Sequence, residues 1–310
     1  MKRILAVTAA LLALPLLNAC SLLSHADDAE ELRSALTGLS GVDRVELDYS
    51  EPATLDSGKL ELRVAMSADA NPADAVMVAA RAYEGFAGPH RGEESDVFVT
   101  MGDDTIHVRS LGPDAKVTAV KQAAERAVAV LSDGAVRADI NTQDVEDAPH
   151  VFTEYTVIIA EGDGDSIQQT ALDLEQKYAD IPDAAWRVQT QEDEAGWVLG
   201  STSGFPSSSQ RALYGELNQD LPRGASVQLV DDLVTVHLPD GAGPDAISAM
   251  AGRHLAALGG AEKSFYEITS GDSLVMTVSQ GECAFTTDQA GSRLEKEHGA
   301  DCSKVSRTSE

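Results

Sequence analysis

Two hydrophobic periods alternate along this chain, and the order in which they alternate recurs. Stripes at helical spacing are formed by Val76, Ala79, Ala80, Tyr83 and Phe86, and by Val117, Val120, Ala124, Ala127 and Leu131. Others are Ile167, Ala171, Leu174 and Tyr178, then Leu213, Leu217 and Leu221, then Ile247, Met250, Leu255 and Leu258. A weaker stripe opens the region (Ala29 to Leu39) and another closes it (Thr286 to His298). Between helices lie segments that are apolar at every second residue, among them Leu60/Leu62/Val64, Val97/Val99, Ile106/Val108, Val227/Leu229 and Val234/Val236/Leu238. Turn signals such as Gly102-Asp103-Asp104, Asp231-Asp232 and Gly271-Asp272 join many of these in pairs. The order is helix, strand, strand, over and over.

Helix starts share a chemistry that supports repetition. Asn71-Pro72-Ala73-Asp74, Gly112-Pro113-Asp114-Ala115 and Gly243-Pro244-Asp245-Ala246 each put proline in the first helical turn, where its missing N–H costs nothing. The acid that follows meets the positive end of the helix dipole. The closest internal echo pairs Asp103-Asp104, His107 and Gly112-Pro113-Asp114-Ala115 with Asp231-Asp232, His237 and Gly243-Pro244-Asp245-Ala246.

Strands apolar on one face and helices apolar along one stripe are both satisfied when helices cover one side of an antiparallel sheet. The expected class is therefore α+β, built of open-faced sandwiches. From residue 59 to about 140 the element order is β-α-β-β-α-β, which resembles a ferredoxin-like module. Polar, acidic and proline-bearing, Asn141 to His150 reads as a linker. The expectation is a first module at 28–148, a second at 149–231 and a third at 232–303. Phasing the same elements as successive helix–hairpin units gives instead one continuous array.

The N-terminus carries a different signal. Lys2 and Arg3 precede an apolar run from Ile4 to Leu17, too short for a stop-transfer helix and suited to a cleaved secretory signal. The run ends in Leu17-Asn18-Ala19-Cys20, which resembles the lipobox of bacterial lipoproteins. That resemblance covers residues 1–20 and implies a signal peptide at 1–19, diacylglycerol on Cys20 and a tether at 20–27. Richness in alanine, valine and aspartate with few lysines also resembles the lipoproteins of actinobacteria. Two acyl chains anchor a protein stably where one does not. The expected location is the outer side of the cell membrane. In that oxidising compartment the remaining pair, Cys283 and Cys302, reads as a disulfide around the last helix, ahead of a tail at 304–310.

Loss of Lys2 and Arg3 with the signal would take the formal net charge from −28 to −30. A surface this acidic disfavours nucleic acid and anionic head groups as partners. The seven histidines are isolated, with no i, i+4 pair and no H-E-x-x-H, so no metal site or cofactor is expected. His107 and His237 alternate away from their strands' aliphatic residues, which places both on the open sheet face as candidate contacts. His254 sits at the edge of a helix stripe. Ser203-Gly204-Phe205-Pro206-Ser207 lacks the nucleophile elbow and suits a helix start. Glu161-Gly162-Asp163-Gly164-Asp165-Ser166 lacks the register of a calcium loop and reads as a helix cap. Trp186 and Trp197 read as residues buried beneath a helix, the other reading being a sugar platform. With no catalytic constellation in sequence, the expectation is a non-enzymatic binding or scaffold lipoprotein that meets an envelope protein or cell-wall polymer. A small-molecule carrier, then a cell-wall hydrolase, are the alternatives.

Overall fold

A computed structural model describes residues 24–301, apart from 54–55, 111–114, 132–135, 146–147, 191–194, 260–264, 272 and 280. The predicted periods become elements in the predicted order, with one further strand before the last helix that the periods did not give. The first units are α1 (Ala26–Thr37), β1 (Val42–Ser50), β2 (Lys59–Met66), α2 (Pro72–Phe86), β3 (Glu94–Met101), β4 (Asp104–Ser110), α3 (Val117–Leu131), β5 (Val136–Val145) and β6 (Ala148–Ile158). There follow α4 (Gly164–Tyr178), β7 (Ala184–Gln189), β8 (Val198–Ser201), α5 (Ser208–Leu217), β9 (Ser226–Val230), β10 (Leu233–Leu238) and α6 (Pro244–Leu258). The chain continues through β11 (Phe265–Ser270), β12 (Ser273–Ser279), β13 (Glu282–Phe285) and α7 (Gln289–His298).

Among the described residues all 13 strands form one sheet, and their spatial order is their sequence order. Strands within a hairpin, such as β1/β2 and β3/β4, pair antiparallel. Strands on either side of a helix, such as β2/β3, β4/β5 and β6/β7, pair parallel and directly. This corrects the expectation of ferredoxin-like modules. A split β-α-β unit needs another strand between its parallel pair, whereas Leu62 of β2 faces Val97 of β3 with nothing between them. The expected boundaries at 148/149 and 231/232 fall within the β5–β6 and β9–β10 hairpins, and hydrogen bonding runs through both. Asn141 to His150 is not a linker either. Its residues 141–145 belong to β5 and 148–150 to β6, and core-side Thr142 is satisfied by bonds to Ser110 Oγ (3.1 Å) and the Arg109 carbonyl (3.4 Å). Polar residues on both faces make a strand look like a loop by composition alone.

One face of the sheet is mainly apolar, with buried Ser95, Ser110 and Thr142 among its polar exceptions. Register partners Val45, Val64, Val99, Ile106, Ala138, Tyr155 and Trp186 form a buried row from β1 to β7. One row over, Val157, Val188, Leu199, Leu229, Val234, Tyr266 and Val278 continue from β6 to β12. Leu36, Phe86, Val120, Ile167, Leu217, Met250 and Leu258 from the helices close over them in the same core cluster. Each such side chain contributes about 1.5–3 kcal/mol when taken from water. Helices of this length are marginal alone, so this face holds them, aided by caps. Asn71 and Asp74 form a capping box on α2, and Ser207 and Gln210 form one on α5. Asp163 accepts from the Ser166 N–H at the start of α4, so one residue of the acidic stretch is accounted for as a cap. Among the described residues no helix is long and apolar enough to cross a membrane.

Candidate site on the open sheet face

Strand alternation sends every second residue to the face the helices leave uncovered. Across β2 to β6 those residues include Arg63, Phe98, His107, Asp139 and Glu154, which are successive register partners in a single row. Asp96 and Arg109, partners of each other, lie one row over. His107 is at the centre. One ring nitrogen, Nε2, lies 2.7 Å from Asp96 Oδ1, and the other, Nδ1, lies 2.7 Å from Asp139 Oδ1. The Phe98 ring stacks on the imidazole with centroids 4.1 Å apart, and the Arg63 guanidinium sits 5.1 Å from the Phe98 centroid. Arg109 Nε donates to Asp96 (3.2 Å), and Arg137 donates from Nε and Nη2 to Asp139.

These neighbours hide the centre. His107 is 4 % exposed and Asp96 2 %, although both belong to the open face. Burial by itself opposes charge on all three groups, but the hydrogen bonds and attraction between them prevail. The His107 pKa is raised by Asp139 and Asp96, while His107 and the neighbouring arginines hold Asp96 and Asp139 below the usual carboxylate value. Only an imidazolium donates from both nitrogens at once, so the pairing favours Asp⁻–HisH⁺–Asp⁻ with two guanidinium groups at its rim. Two shallow depressions flank it. One of about 410 Å³ includes Arg44, Arg63, Ala65, Phe98, Thr100, Thr105 and Arg137 in its lining. The other, about 440 Å³, is lined by His107, Arg109, Arg137, Asp139, Asn141, Glu154, Thr156, Arg187 and Gln189. Such a surface suits ionic and hydrogen-bonded recognition.

His237 occupies the matching place on β10, with Ser226 and Thr269 as its register partners. The Thr269 hydroxyl lies 2.9 Å from its Nδ1. His107 and His237 thus fall on the same sheet face in different surroundings, and they do not meet. His254 is not a boundary residue. It is 1 % exposed, bonded through Nδ1 to the Tyr266 hydroxyl and through Nε2 to the Leu217 carbonyl, each at 2.9 Å. Burial pushes its pKa down to about 4. Trp186 is 1 % exposed, stacked with Tyr155 and Phe205 under the helices, while Trp197 packs at the core margin. Cys283 lies in β13; Cys20 and Cys302 fall outside the described residues. Among the described residues no three His, Cys, Asp or Glu side chains are grouped to hold a metal ion.

Sequence reasoning missed Asp96, Asp139, Arg109 and Arg137. Their signal was present in part, since each occupies an off-phase position between core residues such as Val97, Val108, Ala138 and Ile140. What brings them together is pairing between β4 and β5, strands separated by a helix. Comparison of the chain with protein-family models, with curated proteins and with solved structures returns no match.

Proposed function

We propose that this chain is a lipid-anchored protein of the cell envelope whose open sheet face binds another envelope component without transforming it. The observation that carries the reading is the one-sided build: the helices cover one face of a 13-stranded sheet, leaving the other to present its charged cluster. Diacylglycerol on Cys20 would hold the N-terminus at the outer side of the membrane, with the soluble part repelled from anionic head groups by its net acidity. A Cys283–Cys302 bridge would pin α7 to the last hairpin in that oxidising compartment.

Affinity capture from envelope extracts, with the acylated full chain as bait, tests the binding face. Thr156→Trp places a bulky ring on the open face, whereas Met77→Glu changes an exposed residue of α2 on the helical side. A partner held by wild type should be lost with Thr156→Trp and kept with Met77→Glu; equal retention by both overturns the assignment. Cys20→Ser should move the protein from the membrane fraction to the soluble fraction without changing its melting temperature. Persistence of that variant in the membrane fraction would defeat the anchoring reading.

A further inference from the structure

One row of the open face stands apart from the rest of this acidic chain. From β1 to β7 its register partners are Arg44, Ala65, Thr100, Thr105, Arg137, Thr156 and Arg187. The row contains three guanidinium groups, three hydroxyls and no acid, in a protein of formal net charge −28. Both depressions lie along it and share Arg137 in their linings, which makes a shallow groove in two parts across the strands. With strands about 4.8 Å apart, Arg44 and Arg137 are separated by about 19 Å, and Arg137 and Arg187 by about 10 Å. The neighbouring row supplies Glu46, Asp139 and Glu154. Two of these are engaged: Glu46 with Arg44 at 3.3 Å, and Asp139 with Arg137 and His107. Arg187 forms no ion pair among the described residues.

We infer that this groove binds an acidic polysaccharide, a linear carboxylate-bearing glycan lying across β1 to β7. The inference rests on the binding reading above and specifies its partner. Guanidinium groups match carboxylates bidentately, and three of them along one line suit a polymer with a repeated charge. Thr100, Thr105, Thr156 and Asn141 offer the hydroxyl and amide partners that sugar hydroxyls need. An acidic peptide fits less well. Arginine clusters do recognise acidic motifs in peptides, but the strands under the groove are already paired to each other and offer no edge for strand addition, and hydroxyl and amide side chains line the depression between Arg137 and Arg187. Repulsion from the remaining acidic surface is screened beyond about 8–10 Å at physiological ionic strength, so contacts in the groove decide.

Titration calorimetry of the full chain with polygalacturonate at low ionic strength tests this, with dextran as the neutral glycan and poly-L-glutamate as the acidic peptide. Wild type should bind polygalacturonate, weaken as salt is added, and ignore dextran. Arg187→Ala should reduce affinity about tenfold, the size of a hydrogen bond to a charged group, while Arg81→Ala on α2 leaves it unchanged. Arg187 is the informative position because its removal orphans no described carboxylate; an unchanged melting temperature shows that the variant folds. No binding of polygalacturonate, equal binding of dextran, tighter binding of poly-L-glutamate, or full affinity in folded Arg187→Ala would each overturn the inference. If a partner is still captured through the open face while polygalacturonate is ignored, the glycan assignment fails and the binding reading survives.

Discussion

His107 and His237 stand at the same place in two copies of one structural unit, each on the second strand of a hairpin and each facing the open side. Their register partners differ. His107 has Phe98 and Asp139 beside it, and His237 has Ser226 and Thr269. The first is caged by two carboxylates under a stacked ring, and the second has a threonine hydroxyl 2.9 Å from its Nδ1. The difference extends to the halves of the sheet. The face of β1–β7 is laced with ion pairs, whereas beyond it the row runs through Gly200, Val230, Leu233 and Phe265. Part of that second half is covered by the β7–β8 connection, since Ser226 Oγ donates to the Ala195 carbonyl at 2.6 Å and Gln228 Nε2 to that of Gly196 at 3.2 Å. Repetition thus fixes where a side chain points, while the residue across the strand decides what it does there.

The largest test of this contrast is Asp96→Ala. It leaves a buried imidazolium and a guanidinium short of a counter-charge, and urea unfolding should show a loss of about 3–5 kcal/mol. A loss below about 1 kcal/mol would reduce the His107 cage to the level of a single neutral hydrogen bond.

Next comes pH, where two buried histidines pull in opposite directions. His254 has its folded pKa lowered to about 4 from 6.5. The unfolded chain therefore binds the extra proton first, and stability present above pH 6.5 is lost as pH falls toward 4. The loss is on the order of 3 kcal/mol. For His107 the folded pKa is raised. Its contribution is complete below the ordinary histidine value and disappears as pH rises through the folded one. Urea unfolding across this range should give a slope between pH 6.5 and 4 that vanishes in His254→Leu, and an alkaline-side decline that vanishes in His107→Leu. A His254→Leu profile that kept the acidic slope would remove that residue as its cause.

The smallest effect belongs to Thr269→Ala, which removes the hydroxyl beside His237. A change of about 0.5–1.5 kcal/mol is expected from one neutral hydrogen bond. A penalty as large as that of Asp96→Ala would erase the distinction between the two copies.

Much of the architecture was legible in advance because it follows local periods. The stripe of Val76, Ala79, Tyr83 and Phe86 is α2, and proline at positions 72 and 244 marks helix starts. Off-phase placement likewise put His107 and His237 on the uncovered face. Less legible were features that depend on neighbours. Thr142 sits at a buried strand position and stays polar because Ser110, on another strand, satisfies it. His254 looked marginal on a helical wheel, yet two distant groups, Leu217 and Tyr266, let it enter the core. The carboxylates of the site were visible as residues but not as a set.

The order of amino acids by itself determined the alternation of helices with strand pairs and which side of each strand is apolar, because both are written in spacings of a few residues. It could not decide whether the units close into separate sandwiches or join edge to edge, since the same amphipathic elements satisfy either arrangement. That choice was made by direct parallel pairing of strands on either side of each helix. The same pairing brought Asp139 beside His107, which the β3–β4 hairpin sets next to Asp96, and it helped align Arg44, Arg137 and Arg187 in one row, because lateral register is a property of strands lying next to one another.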